Sequence, residues 1–173
     1  KKKNITITLI DTGKNTMTGG RLKKISKYVN KNETFMFTYG DGVANINIKK
    51  LLNFHMASKS IITVTAVRPP ARFGEILIKN KRVNSFKEKP QVREGWINGG
   101  FFVANINFLK LIEGSKSILE KKPLEKAAKL KKFIAFKHYD FWKCMDTKRD
   151  HEMLEKLWVE GSAPWKPSLG NSE

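Results

Sequence analysis

A chain of 173 residues is long enough for one full hydrophobic core and has the length of one domain or slightly more. Its 34 Lys and Arg against 16 Asp and Glu leave a formal charge of +18, which attracts nucleic acid, anionic membrane or a phosphorylated ligand without choosing among them. The single cysteine, Cys144, excludes an internal disulfide and a multi-cysteine zinc site and points to reducing cytoplasm, while no apolar run approaches a membrane-spanning helix.

In chain order, the alternation from Ile5 to Ile10 predicts a strand, too short behind its leading lysines for a secretory signal. Thr16-Met17-Thr18-Gly19-Gly20-Arg21 leads into a helix with Leu22, Ile25, Tyr28 and Val29 on one side. The run Phe35 to Tyr39 predicts a strand buried on both faces, and Asn47 a cap for a helix through Leu51, Leu52 and His55. Ile61 to Val67 returns to the sheet, so strands and helices alternate as in parallel α/β units. Glu75 to Lys79 and Arg82 to Lys87 then predict an antiparallel hairpin turning at Asn80-Lys81 and added to that sheet.

Trp96 to Val103 reads as a strand interrupted by glycines, followed by a short helix near Phe108 to Ile112. Pro123 suits the first turn of a helix carrying Leu124, Ala127, Ala128 and Leu130, and Phe133 to Lys137 predicts the last strand. Met153, Leu154, Leu157 and Trp158 follow at helical spacing. Without an internal repeat, a low-complexity linker or a second core-sized segment, the economical reading is one domain over residues 1–160 and a proline-punctuated tail over 161–173. The lysines are dispersed, several on the polar sides of helical patterns, which favours a solvated face over a polyanion groove.

Two carboxylates stand where strands end. Asp41 lies between Gly40 and Gly42 after the aromatic run, and Asp146 follows an apolar stretch at a strand-to-helix junction. Two such aspartates suit one magnesium ion, because magnesium takes only one or two protein carboxylates and leaves room for water and substrate phosphates. Asp beside Gly also makes turns, and Asp before a helix also makes caps. Thr16, Thr18, Gly19, Gly20 and Arg21 precede a helix, where backbone amides and a guanidinium suit an anion, although Gly-Gly there is often only a turn. Glu88-Lys89-Pro90 suits a phosphorylated polyol, with Lys89 on phosphate and Glu88 on hydroxyls, and Asn98 with Gly99 suits sugar hydroxyls. An exposed turn and a bulge are the plain alternatives. His55, His138 and His151 lack metal-ligand spacing, and Cys144, with no base nearby in sequence, reads as packing.

Taken in order, Thr16-Met17-Thr18-Gly19-Gly20-Arg21-Leu22, Tyr39-Gly40-Asp41-Gly42, Arg72-Phe73-Gly74, Glu88-Lys89-Pro90, Trp96-Ile97-Asn98-Gly99-Gly100-Phe101-Phe102 and Met145-Asp146-Thr147-Lys148-Arg149-Asp150 resemble the glucose-1-phosphate cytidylyltransferase family of sugar nucleotidyltransferases. Ala163-Pro164-Trp165-Lys166 resembles that family's C-terminus. The resemblance implies a Rossmann-like α/β sheet, mostly parallel with the added hairpin and incomplete at its N-terminus. It implies Mg2+ as cofactor, held by Asp41 and Asp146, and CTP and α-D-glucose 1-phosphate as substrates. Thr16, Gly19, Gly20, Arg21 and Gly40 are then nucleotide-binding, Lys89 is catalytic, and Glu88, Lys89, Asn98 and Gly99 bind the sugar phosphate. A cytoplasmic homo-oligomer, without membrane or specific nucleic-acid partners, is implied with them.

The family's glycine-rich phosphate loop, of the Gly-Gly-x-Gly-Thr-Arg type, and the Lys-Pro pair after it have their place upstream of Ile5, where this chain has four residues. The expectation is a chain inactive alone, as the later part of a longer polypeptide or the product of a truncated gene. Lys143 stands where the family usually has Gln. The competing readings are a uridylyl- or thymidylyltransferase of the same fold, a basic nucleic-acid-binding module, and a catalytically dead homologue that keeps ligand or oligomer contacts.

Overall fold

A computed structural model describes residues 5–30, 34–68, 75–87 and 95–166. The chain divides into two compact units, each assembled from separated segments. The first comprises Lys1–Phe35, Lys59–Ile62 and Ala104–Ile134, the second Met36–Ser58, Thr63–Val103 and Ala135–Glu173.

The elements begin with α1 (Thr18–Lys24), which runs on into a 3-10 turn (Ile25–Tyr28), then β1 (Thr34–Thr38), β2 (Gly42–Ala44), α2 (Ile48–Met56) and β3 (Ile62–Val67). The hairpin strands β4 (Glu75–Lys79) and β5 (Arg82–Lys87) come next, followed by β6 (Ile97–Asn105), α3 (Ile106–Leu109) and α4 (Lys122–Lys129). The chain continues through β7 (Phe133–Lys137), β8 (Trp142–Cys144) and α5 (Lys148–Val159). The central sheet has the order β1-β6-β3-β7 and is mainly parallel, as the alternating strand and helix pattern predicts. All of β3 is buried, which explains its unbroken run of apolar and β-branched residues.

β1 departs from expectation. It is the edge strand of the described sheet and alternates half-buried with exposed residues, Met36 being 38% exposed, so it is not covered on both faces. Its inward residues still carry weight. Phe37 stacks on the fully buried Phe102 at 4.6 Å between centroids, and Tyr39 meets the same ring edge-on at 5.8 Å. Burying one such ring stabilises by about 1.5–3 kcal/mol, and each aromatic pair adds about 0.5–1.5 kcal/mol.

Ile5 to Ile10 forms no strand, and Ile5, Ile7 and Leu9 are 79%, 79% and 92% exposed. Alternation prepares a segment for pairing, but a strand exists only where a neighbour accepts its hydrogen bonds, and no described strand does so. The β4–β5 hairpin does turn at Asn80 and Lys81, both at positive φ as a primed two-residue turn requires, and it stands as its own two-stranded sheet.

In the second unit, α2 starts where Asn47 accepts the Lys50 amide at 2.9 Å and buries Leu51 and His55, one turn apart. Leu51, Ile46 and Val103 form a core patch with Ala44, Leu52, Phe101 and Phe136 around it. His55 is a satisfied core residue: its Nδ1 lies 2.8 Å from the Thr63 hydroxyl, and burial lowers its pKa. The first unit buries Leu22 of α1, Phe108 and Leu109 of α3, and Leu124 and Ala127 of α4, with Pro123 in the first turn of α4 as predicted. No described helix is long and apolar enough to cross a membrane.

Candidate functional site

The second unit brings Asp41 and Asp146 together by a device too short to show in the sequence. Strands β2 and β8, three residues each, pair antiparallel with Gly42 opposite Cys144, Val43 opposite Lys143 and Ala44 opposite Trp142. One step beyond that ladder the Met145 amide donates to the Asp41 carbonyl at 2.8 Å. The two aspartates therefore sit at adjoining ends of one paired ribbon, both exposed.

Between them is Cys144, half-buried. One donor atom from each of Asp41, Cys144 and Asp146 lies within 4.8 Å of the other two, and the Cys144 thiol donates to Asp146 Oδ1 at 2.9 Å. Burial, the hydrogen bond to Asp146 and the charges of Asp41, Asp146 and Asp150 push the thiol up to about 12. It is protonated at neutral pH, which excludes a free thiolate nucleophile. The packing role expected for Cys144 is thus incomplete, since the residue belongs to the acidic cluster. The signal that could have found it is its place two residues before Asp146.

The residues after Asp146 anchor the start of α5. Thr147 caps α5 in a reciprocal capping box: its hydroxyl accepts the Asp150 amide at 3.2 Å, and its own amide donates to Asp150 Oδ2 at 3.1 Å. Asp150 Oδ1 pairs with Lys143 Nζ at 2.5 Å, both side chains being largely covered. The ammonium of Lys143 and the bonds from Thr147 hold the Asp150 carboxyl down at about 2. Lys143, on β8, and Asp150, on α5, thereby tie together the two elements that flank Asp146.

Other predicted site residues of this unit lie on β6 and beside Asp41. The Asn98 side chain donates to the Tyr39 hydroxyl at 3.2 Å and accepts the Gly100 amide at 2.8 Å, while the Gly99 carbonyl accepts Trp142 Nε1 at 2.8 Å. A Cβ on Gly99 would meet Thr65 O at 2.9 Å and Val67 Cγ1 at 2.8 Å, so close strand packing demands this glycine. A Cβ on Gly40 would meet nothing within 4 Å, so packing does not demand glycine there. Glu88 and Lys89 lie outside the described residues, as does Arg72-Phe73-Gly74.

Thr16, Gly19, Gly20 and Arg21 belong to the first unit. The buried Thr16 hydroxyl donates to Thr12 O at 2.5 Å and receives Lys24 Nζ at 3.2 Å, and Arg21 reaches the Thr12 hydroxyl and Lys14 O. The Met17 amide donates to Ser115 O at 2.9 Å and the Gly20 amide to Ser117 O at 3.1 Å. Those two amides are engaged, so the glycine pair serves close packing against the 115–117 segment.

Chemically, the Asp41 and Asp146 pair is a hard, dicarboxylate oxygen donor set with an exposed side, and this suits magnesium. The Asp150 carboxylate is matched by Lys143, so Asp41 and Asp146 are the carboxylates the site offers a cation.

Residues 1–148 match the nucleotidyl transferase family. The chain is 48% identical over 160 residues to glucose-1-phosphate cytidylyltransferase of Salmonella typhimurium strain LT2, covering 92% of this chain and 62% of the relative. It is 35% identical over 161 residues to a probable glucose-1-phosphate cytidylyltransferase of Bacillus subtilis strain 168, covering 92% and 63%. Among solved structures, HddC from Yersinia pseudotuberculosis superposes with a TM-score of 0.61 at 22% identity, covering 84% of this chain and 64% of that one, a likeness of fold. The chain thus spans under two thirds of the length of these relatives. On the match over residues 1–148, the chain belongs to the nucleotidyl transferase family.

Proposed function

We propose that this chain carries the cation-holding part of a glucose-1-phosphate cytidylyltransferase, which joins CTP and α-D-glucose 1-phosphate into CDP-glucose and pyrophosphate. The observation that supports this best is the meeting of Asp41 and Asp146 at the end of the β2–β8 ribbon. The 48% identity to a cytidylyltransferase supports cytosine over the other bases.

In this reading Asp41 and Asp146 would hold Mg2+. When bound, the ion neutralises charge on the reacting phosphates and eases departure of pyrophosphate. The chain's own task is positioning: the sugar phosphate oxygen approaches the α-phosphorus in line, and no covalent enzyme intermediate is required. In this reading the motif gives Lys89 the sugar phosphate and Glu88, Asn98 and Gly99 the sugar, and the open space at the Cβ position of Gly40 is left to the nucleotide. Thr16 and Arg21 keep the nucleotide-side role argued from their motif, while Gly19 and Gly20 shape that segment by packing closely against residues 115–117. A cytoplasmic homo-oligomer completes the reading.

The test is pyrophosphate release by the native polypeptide with CTP, glucose 1-phosphate and Mg2+, alongside calorimetric Mg2+ titration. Asp41→Asn and Asp146→Asn each lose at least about 100-fold in turnover and weaken Mg2+ binding, with the circular dichroism of the fold unchanged. Unaltered turnover in either variant refutes the metal assignment.

A further inference from the structure

The segment after α5 is built into the second unit. Gly161, at positive φ, carries the chain round, and the Ser162 amide donates back to Leu157 O at 3.0 Å. Ala163 is buried, and the Lys166 amide closes a turn on Ala163 O at 3.1 Å. Lys166 Nζ lies 5.1 Å over the Trp158 ring of α5, which ties the turn back to the helix. The turn presents the half-buried Trp165, whose ring stacks on Phe141 at 5.3 Å between centroids and 26° between planes. We propose that Trp165 is a positioning residue for the reaction: through Phe141 it holds the β2–β8 ribbon closed and so keeps Asp41 and Asp146 together. The inference rests on the reading of those two carboxylates as the ligands of the cation.

Phe141 stands at the end of the ribbon opposite the aspartates. Its carbonyl accepts the Asn45 amide at 3.2 Å, and the bond from the Met145 amide to Asp41 O at 2.8 Å is its counterpart at the other end. Both continue the register in which Gly42 opposes Cys144 and Ala44 opposes Trp142. Three pairs between two such bonds make a ribbon too short to stand alone in water, so its surroundings have to hold it. A ladder this short opens as one unit, and a loss at the Phe141 end therefore reaches Asp41 and Asp146.

Each part of the ribbon has its own outside hold. Near the aspartates the Lys143–Asp150 pair at 2.5 Å joins β8 to α5, and at the third pair Trp142 Nε1 donates to Gly99 O at 2.8 Å. At the Phe141 end the buried His138 places Nε2 3.1 Å from the Phe141 carbonyl, and Trp165 stacks on the Phe141 ring. The carbonyl contacts fix the backbone there, whereas the stack keeps the side chain from turning out into water and drawing the strand with it. A misplacement of about 1 Å at reacting groups costs about 100-fold in rate, so a hold at the far end of so short a ribbon bears on the reaction.

The test compares the native polypeptide with Trp165→Ala and Trp165→Phe by amide hydrogen exchange without metal and by pyrophosphate release against Mg2+ concentration. In Trp165→Ala the Asn45 and Met145 amides exchange at least about tenfold faster, while the Leu51 amide, bonded to Asn47 O at 3.0 Å in α2, keeps its rate. The half-saturating Mg2+ concentration rises at least about tenfold, the cost of losing an outer support of a metal site, and the KM for glucose 1-phosphate is unchanged. Trp165→Phe, which keeps a stacking ring, restores both readouts. Where Trp165→Ala does not fold, Trp165→Leu, apolar but without a ring, takes its place in the comparison with Trp165→Phe. Unchanged exchange at Asn45 and Met145 overturns the inference, and so does faster exchange shared equally by Leu51, which marks loss of global stability. It is also overturned if the ribbon amides exchange faster but the Mg2+ requirement stays put in an enzyme that Asp41→Asn inactivates. Faster exchange confined to the ribbon, with turnover intact in Asp41→Asn, supports the hold of Trp165 on the ribbon and overturns the cation reading instead.

Discussion

Gly20 and Gly40 show how one residue type answers to two different demands. A Cβ at Gly20 would lie 2.7 Å from both the Cα and the carbonyl carbon of Ser115, backbone atoms that cannot step aside alone. Gly20→Ala therefore destabilises the protein by about 1–3 kcal/mol, read as a lower urea midpoint at unchanged slope. At Gly40 a Cβ meets nothing within 4 Å, so Gly40→Ala changes stability by less than about 0.5 kcal/mol. Its effect falls on nucleotide affinity, measured by calorimetry with CTP, and an unaltered affinity would remove Gly40 from the proposed site.

At the scale of elements, the β8–α5 junction combines a capping box with an ion pair. Thr147→Ala removes the cap and costs about 1 kcal/mol. The pH dependence has a definite sign. Asp150 sits at about 2 in the fold against an ordinary 3.8, so the unfolded chain binds its proton first. Its contribution is fully present above pH 3.8 and is lost as pH falls through about 2. Unfolding midpoints measured across that acid window decline, and in Asp150→Asn this part of the decline disappears. Lys143 lies where the resembled family usually has Gln, and its ammonium is committed to Asp150 and through it to the start of α5.

For the whole molecule the governing quantity is the formal charge of +18. Described ion pairs such as Lys126 with Glu113, Lys148 with Glu152 and Lys156 with Glu160 are exposed and relieve little of the repulsion among the lysines. Raising salt from about 0.01 to 0.15 M shortens the screening length from about 30 to 8 Å and weakens that repulsion. The thermal midpoint rises over this range at neutral pH, and a midpoint that falls would show that attractive pairs dominate. The same charge raises the local concentration of phosphorylated ligands, so ligand association slows as salt increases.

Much of the fold was legible because local physics decides it. Six consecutive β-branched and apolar residues have to be a buried strand, as β3 is, and Asn47 caps α2 because its side chain reaches an amide three residues on. Asn80-Lys81 turns a hairpin, and the two aspartates were marked by the apolar stretches before them. Pairing was not legible. Strands of three residues, as in β2 and β8, show no period, and joining them spans about 100 residues of chain. That joining places Cys144 in the cluster with Asp41 and Asp146, whereas sequence adjacency suggested only packing. Likewise the apolar run of β1 marked a strand but not its edge position, and the alternation from Ile5 to Ile10 found no described partner. The sequence by itself determined what each segment is disposed to be and the family it belongs to. Only the tertiary structure decided which segments meet, because hydrogen bonds and donor atoms are shared between residues far apart in the chain.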